Sequence, residues 1–130
     1  MVPTSVLVEI QRRGPTDITA QALQNTAWII CIEDPPIPRL IQAWDLGEGG
    51  SSVLAWAYTH PGTEAIIDDL AGRRCAAALG IPVRGTLGLI LIAKRQGRIP
   101  QARPVLERLR HAGMYLSDRV MNQALGLVGE

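Results

Sequence analysis

Long apolar runs, clustered cysteines and a strong net charge are all missing from this sequence. The longest apolar run, 87–93, is far shorter than the roughly 20 residues that span a membrane, and no secretory signal is recognisable. The two cysteines, Cys31 and Cys75, lack metal-ligand spacing and lie in apolar segments. We therefore expect small buried thiols in a reducing compartment, and a soluble cytoplasmic protein.

Charge is nearly balanced, but the choice of basic residue is uneven. The formal net charge is +1, so no overall field favours nucleic acid or a membrane as partner. Lys94 is the only lysine among 13 basic residues, and all the others are arginine. Arginine suits bidentate contacts to phosphate and carboxylate, but a GC-rich gene would produce the same bias. The composition leaves both interpretations open.

Apolar periodicity predicts short strands that alternate with about seven helices. Apolar runs of strand length lie at 28–32, 65–67 and 81–83, and the first of them reads as a buried strand. The expected helix caps are Thr4 or Ser5, Thr16 or Asp17, Thr86 and Ser117. A flexible turn at 47–50 precedes a helix at 51–58. The helix from Thr86 to about residue 96 is apolar nearly all round, so we expect it to be buried. Such alternation is typical of an α/β domain with a parallel sheet between helical layers. Three strands make a thin sheet, which indicates that something is missing from the front.

Two adjacent carboxylates, Asp68 and Asp69, are the best chemical candidates. They follow the apolar run at 65–67, and open α/β sheets bind ligands at the carboxyl ends of their strands. A carboxylate there suits Mg²⁺ or Mn²⁺, which take oxygen ligands. The alternative is that one of them caps the following helix at 70–79, a commoner role for such a residue. The pattern leaves metal ligand and helix cap both open.

Arg73 and Arg74 lie one helical turn beyond these carboxylates. At that spacing they either meet phosphate groups or pair with Asp68 and Asp69 along the helix. The pairing is the more common outcome for such neighbours. The two arginines therefore remain candidates for nucleic-acid contacts with a structural alternative beside them.

Other polar residues carry weaker signals. Glu9 lies on the polar face of the first helix, and Glu48 stands among glycines, so each is either a ligand or a solvated charge. His60 and His111 end helices and have no serine or cysteine at a meaningful spacing, which gives nucleophilic catalysis no support. The glycines at 47–50 do not follow a strand in dinucleotide-binding fashion. No single one of these residues identifies a function.

Four segments stand out as motifs along the chain: VPTSVLVEI, LGEGGSSVLAWA, IIDDLAGRRCAAALGIPVRGTLGLILIAKRQGRIP and GMYLSD. Together they resemble a bacterial PIN-domain-like family of nucleic-acid-binding proteins, related to the VapC toxins of toxin–antitoxin pairs. The resemblance implies one PIN-like α/β domain over residues 1–130, with a parallel sheet flanked by helices. It also implies a Mg²⁺- or Mn²⁺-dependent ribonuclease acting on single-stranded RNA, with about four carboxylates around the metal.

The resemblance assigns roles to individual residues. Asp69, with Asp68 beside it, matches the acid after the fourth family strand, and Glu9 matches the acid of the VP-xxV-xxE helix. These three residues are the implied catalytic carboxylates. Asp69 and Glu9 are the implied metal ligands, and Glu48 is a candidate third ligand that would substitute for a family glutamate. The implied nucleic-acid-binding residues are Arg73, Arg74, Thr86, Lys94 and Arg95.

The sequence departs from the family at two corners of the expected metal site. The family opens with a strand that ends in Asp-Thr or Asp-Ser, and we find no counterpart of that strand. Gly50 stands where relatives carry a glutamate, and Glu48 lies two residues earlier. Because carboxylate number sets metal affinity, we expect weak or lost metal binding and degenerate catalysis, with Asp69 and Glu9 as the remaining ligands.

The expected loss of the first strand also bears on partners. Unpaired strand edges tend to pair with other chains, so we expect a homodimer or a higher homo-oligomer. The alternative to a nuclease is a non-catalytic module that binds nucleic acid or an antitoxin-like protein. Its contact surface would consist of Arg73, Arg74, Lys94, Arg95 and Arg98. A third possibility is a decaying toxin relative without function.

Overall fold

The computed structural model describes residues 1–130 and divides them into two units, Met1–Val83 and Arg84–Glu130. The first unit contains β1 (Val2–Pro3), α1 (Thr4–Gln11), α2 (Ile18–Gln24), β2 (Cys31–Ile32), α3 (Arg39–Gln42), α4 (Glu48–Thr59), β3 (Ala65–Ile66) and α5 (Leu70–Ala78). Strand β4 (Val83–Arg84) lies at the border, and the second unit contains α6 (Thr86–Arg95), α7 (Arg103–His111) and α8 (Asp118–Gly126). This alternation confirms the predicted α/β class. No helix has the length and apolar character needed to cross a membrane.

The strands form two separate two-stranded sheets. Strand β1 pairs with β2 in parallel, with Val2 opposite Cys31 and Pro3 opposite Ile32. Strand β3 pairs with β4, and beside this pair the Ala65 amide donates a hydrogen bond to the Pro82 carbonyl at 2.9 Å. Each strand has two residues: β2 takes the end of the run at 28–32, β3 lies within the run at 65–67, and β4 begins at the last residue of the run at 81–83. Strand β1 lies where no strand was predicted.

The prediction of a buried strand over 28–32 is wrong for most of its length. Only Cys31 and Ile32 are in a strand, and Trp28 is 83% exposed. The Ile29 amide bonds to the Thr26 carbonyl at 3.4 Å, which closes a turn and keeps the preceding residues out of the sheet. An apolar run alone does not show which of its residues have a hydrogen-bonded neighbour.

Helix α4 is the centre of the first core. Its buried residues Leu54, Ala55 and Ala57 pack with apolar side chains from the surrounding elements. Those side chains belong to Ile41, Ala65, Ile67, Cys75, Ala76 and Ile81. Because α4 also contacts α1, α3, α5, β1 and β3, its residues determine where the neighbouring elements lie.

The second unit has its own core, built from α6, α7 and α8. Leu106 of α7 and Leu125 of α8 are fully buried, and Ile90 and Leu91 of α6 pack with them. Helix α6 was expected to be buried nearly all round, but Leu89 is largely exposed. Helices α7 and α8 both contact α6, and Leu89 lies outside the core that they share.

Local capping signals are the best-predicted features of the helices. The Asp17 side chain accepts hydrogen bonds from the first-turn amides of α2, as expected of an N-cap aspartate. The Ser117 hydroxyl accepts one from the Val120 amide at 3.2 Å and so caps α8. Both signals depend only on residues a few positions apart, so they can be identified without knowledge of the tertiary structure.

Three predicted helix starts are wrong. Pro3, not Thr4 or Ser5, is the N-cap of α1, and Gly85 precedes α6 in place of Thr86. Helix α4 begins at Glu48, three residues before the predicted start, so most of the expected flexible turn is helical. Gly47 alone completes the turn, because its φ of 79° lies in the left-handed region that glycine adopts without strain.

The two cysteines lie in different surroundings. Cys75 is fully buried in the first core, as predicted, and burial raises the pKa of its thiol. Cys31 is exposed, so the prediction of a buried thiol is wrong for this residue. The short β1–β2 sheet leaves that side of β2 open, whereas α5 carries Cys75 inward.

Candidate functional site

Glu9 of α1 places its carboxylate against the first turn of α4. A Cβ atom added at Gly49 would lie 2.7 Å from Oε1 of Glu9, a distance that real Cβ atoms do not reach. Gly49 therefore makes room for this carboxylate. The amides of a first helical turn lack intrahelical partners and carry partial positive charge, so a carboxylate is favourably placed there.

Gly50 follows in the same turn and has open space around it. A Cβ atom at this position would meet only the Cβ of Leu46, at an ordinary contact distance of 3.7 Å. The structure thus brings Glu9 to the helical turn that carries the position where the resemblance implies a glutamate. Two ligand positions of the expected metal site, Glu9 and position 50, therefore lie at the same helical turn, although Gly50 has no side chain that could bind a metal.

Asp34 is a carboxylate with a defined position that the sequence analysis missed. Its Oδ1 accepts hydrogen bonds from the Ser5 amide at 2.9 Å and from the Ser5 hydroxyl at 3.0 Å. The Ser5 hydroxyl also lies 3.2 Å from that of Ser52, and both serines are buried. Glu33 and Asp34 follow β2, just as Asp68 and Asp69 follow β3, and this repeated pattern of a strand followed by two acids was the available signal.

Asp69 is the N-cap residue of α5. Its Oδ2 accepts a hydrogen bond from the Gly72 amide at 2.9 Å, and its backbone is extended. Gly72 is required here, because a Cβ atom would lie 2.9 Å from Cγ2 of Ile67. Of the two roles left open by the sequence, the structure shows helix capping for Asp69. Asp68 beside it is exposed.

Glu48 is the first residue of α4 and is exposed. It is fixed in a helical turn, in contrast to the mobile glycine-rich loop that the sequence suggested. Its backbone carbonyl lies 3.4 Å from the Ser5 hydroxyl, which ties the start of α4 to α1. Glu48 therefore has a fixed backbone position in the same turn as Gly49 and Gly50.

A PIN-type metal centre requires several oxygen ligands around one ion. No group of three or more histidine, cysteine, aspartate or glutamate side chains in residues 1–130 is close enough together to hold a metal ion. Glu9 packs against α4, and one oxygen of Asp69 is engaged in capping α5. The donor set as arranged does not fit a centre built from several carboxylates.

The predicted nucleic-acid-binding residues lie in both units. Arg73 and Arg74 are exposed on α5. Arg95 is exposed at the end of α6, and Thr86 is the first residue of that helix. Lys94 is constrained, since its Nζ donates a hydrogen bond to the Pro100 carbonyl at 2.7 Å. The arginines are consequently better placed than Lys94 to reach a ligand.

Glu130 closes the second unit against the start of α7. Its two carboxylate oxygens accept hydrogen bonds from the amides of Ala102 at 2.7 Å and Arg103 at 3.2 Å. The bond from Ala102 is the main cause that lowers the pKa of Glu130, with further lowering by Arg103 and by the charge of Lys94. The Lys94 ammonium lies 3.8 Å from this carboxylate. These contacts hold the α6 end, the α7 start and Glu130 together.

Charge is distributed unequally between the two units. The Met1–Val83 unit has five arginines against nine carboxylates, a net charge of −4. The Arg84–Glu130 unit has seven arginines and Lys94 against three carboxylates, a net charge of +5. One of those three, Asp118, is paired with Arg110 at 2.6 Å. The near-neutral total conceals a basic unit and an acidic one.

A family model described as a PIN domain matches the chain over residues 1–130. Comparisons with the curated proteins and with the solved structures gave no match. The alternation of helices with short strands agrees with the PIN-like α/β fold. The whole described chain is covered by this one model, and it therefore belongs to the PIN-domain family.

Proposed function

We propose that this chain is a cytoplasmic PIN-domain protein that binds single-stranded RNA and retains little or no metal-dependent ribonuclease activity. PIN domains are nuclease-like, bind nucleic acid and generally use divalent metals. The observation that carries the proposal is the combination of a basic Arg84–Glu130 unit, at net +5, with carboxylates that do not gather into a group of three. A basic unit attracts the phosphates of RNA, whereas dispersed carboxylates hold a catalytic divalent ion weakly.

The binding half of the proposal depends on exposed arginines. Lysine and arginine side chains that neutralise phosphates release counterions, and this release drives sequence-independent binding. Arg95 and Arg98 are exposed after the apolar part of α6, and Arg73 and Arg74 are exposed on α5. Lys94 contributes less, because Pro100 and Glu130 already engage its ammonium. Arginine also contacts phosphate in a bidentate manner, which suits a flexible single strand.

The catalytic half depends on what each carboxylate already does. One oxygen of Asp69 accepts the Gly72 amide, and the Glu9 carboxylate lies at the first turn of α4. Gly50 supplies no side chain to that turn. Fewer carboxylates mean less local negative charge and weaker divalent-ion binding. Asp69, Asp68, Glu9 and Glu48 therefore remain as a degenerate remnant of a metal site.

A binding and cleavage assay on one RNA tests both halves. Purified protein is titrated into a fluorescent single-stranded RNA over a range of KCl concentrations, and the same mixtures are incubated with Mn²⁺ and resolved on a gel. We expect affinity to fall with salt, with a log–log slope of about −0.7 for each phosphate contact, and little cleavage. Efficient cleavage that disappears in Asp69→Asn would contradict the degenerate site, and salt-independent or absent binding would contradict the RNA-binding role.

The open space at position 50 provides a gain-of-function test of why catalysis is degenerate. Gly50→Glu adds a carboxylate to the turn that Glu9 contacts, where only the Cβ of Leu46 is near. We expect Mn²⁺-dependent cleavage to rise in this variant and to stay at background in the matched control Gly50→Gln. Equal activity of the two variants would show that the missing glutamate is not what limits the reaction.

We also propose that the chain self-associates, that it is related to the VapC toxins, and that it pairs with an antitoxin-like protein. Each of its sheets has only two strands, and strand edges without neighbours are common sites of pairing between chains. Light scattering at micromolar concentration tests self-association, and a clean monomer would refute it. Co-purification with the product of the adjacent gene tests the second partner.

A further inference from the structure

Tyr115 lies in the segment 112–117 that joins α7 to α8, and its side chain is 90% exposed. Both of its neighbours in the chain are anchored. Leu116 is buried in the second core, and Met114 packs against that core. The backbone on either side of Tyr115 is therefore held against the unit, while its ring extends into solvent.

Hydrogen bonds fix the start of this segment and an ion pair spans it. The Gly113 amide bonds to the Arg110 carbonyl at 3.1 Å. The Met114 amide bonds to the Leu109 carbonyl at 3.0 Å, and Gly113 has a φ of 113°. This is the Schellman arrangement, which satisfies the last carbonyls of a helix. The Arg110 guanidinium reaches across the segment to the Asp118 carboxylate at 2.6 Å, so the ring projects from a backbone of defined position.

The residues around the ring are predominantly basic. Residues 103–120 contain four arginines against two carboxylates, Glu107 and Asp118, and Asp118 is already paired with Arg110. Arg119 is exposed four residues after Tyr115. Four residues of chain span at most about 14 Å, so the Arg119 guanidinium lies on the path of a nucleic-acid strand that contacts the ring.

We infer that the ring of Tyr115 stacks on a base of single-stranded RNA, and that Arg119 contacts a neighbouring phosphate. Proteins that bind single strands combine basic side chains along the backbone with aromatic rings on which bases stack. Because the ring is held by its anchored neighbours, little ordering of the chain is needed when a base binds. The inference rests on the RNA binding proposed above and adds the place where a base is held.

A strand of RNA fits this site better than a protein surface does. Between residues 103 and 120, Val120 is the only other large apolar side chain that is exposed, at 41%. The ring therefore does not belong to a contiguous apolar patch of the kind that marks protein interfaces. A nucleotide offers one flat base beside negatively charged phosphates, which is complementary to one flat ring among arginines.

Titration of the full chain into a fluorescent single-stranded RNA, followed by anisotropy, tests the stacking. Tyr115→Ser should raise Kd by at least about fivefold, the lower end of what one stacked base contributes. Tyr115→Phe keeps a flat ring and should stay within about twofold of the unaltered chain. The matched control is Trp28→Ser, which removes an 83% exposed aromatic from the acidic unit and should leave Kd unchanged. Circular dichroism verifies that the variants fold.

Two further measurements separate stacking from charge. Tyr115→Ser should keep the salt slope of the unaltered chain, because it removes no phosphate contact, whereas Arg119→Gln should reduce that slope by about 0.7. Duplex RNA of the same sequence has its bases paired and stacked on one another. Tyr115→Ser should therefore bind the duplex as tightly as the unaltered chain does.

The outcomes distinguish this inference from the proposed function. A chain that binds RNA and loses no affinity in Tyr115→Ser overturns the stacking but leaves RNA binding standing, and a chain that binds no RNA overturns both. Equal losses on single-stranded and duplex RNA, or a loss in Tyr115→Phe as large as in Tyr115→Ser, overturn the stacking. Weaker self-association of Tyr115→Ser at unchanged RNA affinity would assign the ring to a protein contact and would also overturn it.

Discussion

The two units of this chain differ in charge, in composition and in the kind of chemistry that they carry. The Met1–Val83 unit is acidic, holds every strand except the border strand β4, and contains all three tryptophans. The Arg84–Glu130 unit is basic and is built on three helices. The remnant carboxylates Glu9 and Asp69 lie in the first, and Arg95 and Arg98 lie in the second. A net charge near zero therefore says little about what such a protein binds.

Each unit uses a carboxylate in the same structural way. In the first unit, the Asp34 carboxylate accepts a hydrogen bond from the Ser5 amide in the first turn of α1. In the second unit, the Glu130 carboxylate accepts hydrogen bonds from the Ala102 and Arg103 amides at the start of α7. These carboxylates supply hydrogen-bond acceptors to helix starts that have no side-chain cap of their own. Much of the acidic chemistry that suggested a metal site is thus occupied with holding helices in place.

The largest expected effects come from shortening one fully buried side chain in either of the two cores. Leu54→Ala in the first unit and Leu106→Ala in the second each remove a fully buried side chain, at a cost of about 2–5 kcal/mol. When urea unfolding is monitored by tryptophan fluorescence, the signal reports only the first unit, because all three tryptophans lie there. Far-UV circular dichroism reports the helices of both units. We expect both variants to shift both signals, because single domains below about 150 residues usually unfold cooperatively. If Leu106→Ala shifts the unfolding transition seen by circular dichroism but not the one seen by fluorescence, the two units fold independently.

The charge difference can be tested by removing two arginines from either unit. The double variant Arg95→Gln, Arg98→Gln should bind single-stranded RNA more weakly and reduce the salt slope by about 1.4, for two lost phosphate contacts. The matched control Arg12→Gln, Arg13→Gln removes an exposed pair of arginines that directly follows α1, and its slope should not change. Equal losses in both would mean that RNA contacts the two units without preference.

The close approach of Glu9 to α4 predicts a smaller difference between two neighbouring glycines. Gly50→Ala should stabilise the protein by up to about 1 kcal/mol, because alanine is the better helix former and the site is open. Gly49→Ala should gain less, since the new Cβ must displace the Glu9 carboxylate. Thermal unfolding of both variants measures this, and in a Glu9→Ala background Gly49→Ala should regain the full stabilisation, so that the difference between the two glycine positions disappears. Equal gains without the Glu9→Ala change would contradict the contact.

The smallest expected effect is the pH dependence of the Glu130 clamp, by which we mean the hydrogen bonds from the Ala102 and Arg103 amides to the Glu130 carboxylate. The pKa of Glu130 is lower in the folded chain than its ordinary value of 4.5, so its contribution is fully present above that value and is lost as the pH falls through the lowered pKa. Glu130→Gln should therefore reduce the melting temperature at pH 7 and approach the unaltered chain in more acidic solution. A deficit that is the same at pH 7 and pH 3 would show that charge is not involved.

The parts of the structure that the sequence predicts are those that depend on neighbouring residues. Asp17, Asp69 and Ser117 were identifiable as caps because the amides that they accept lie two or three positions away. The α/β class followed from alternating patterns in the same way. The predicted single domain over 1–130 stays a prediction, and so do the catalytic and metal roles.

The parts that could not be predicted depend on residues far apart in the chain. The partner of Asp34 is 29 positions away, and whether Trp28 and Cys31 are covered depends on which elements lie over β2. The early start of α4 reflects Gly47, whose turn geometry allows a helix to begin at once. No local pattern reveals that the carboxylate of Glu9 would lie against Gly49.

The two carboxylate clamps have a consequence for the order in which the chain folds. The Asp34 clamp, the hydrogen bond from the Ser5 amide to the Asp34 carboxylate, joins residues 29 positions apart. The Glu130 clamp joins Ala102 and Glu130, which are 28 positions apart. The entropic cost of closing a loop rises only with the logarithm of its length, so the two closures cost nearly the same. Neither unit has to wait for a much longer search than the other, and a chain emerging from the ribosome can complete the first closure while the residues of the second are still being made.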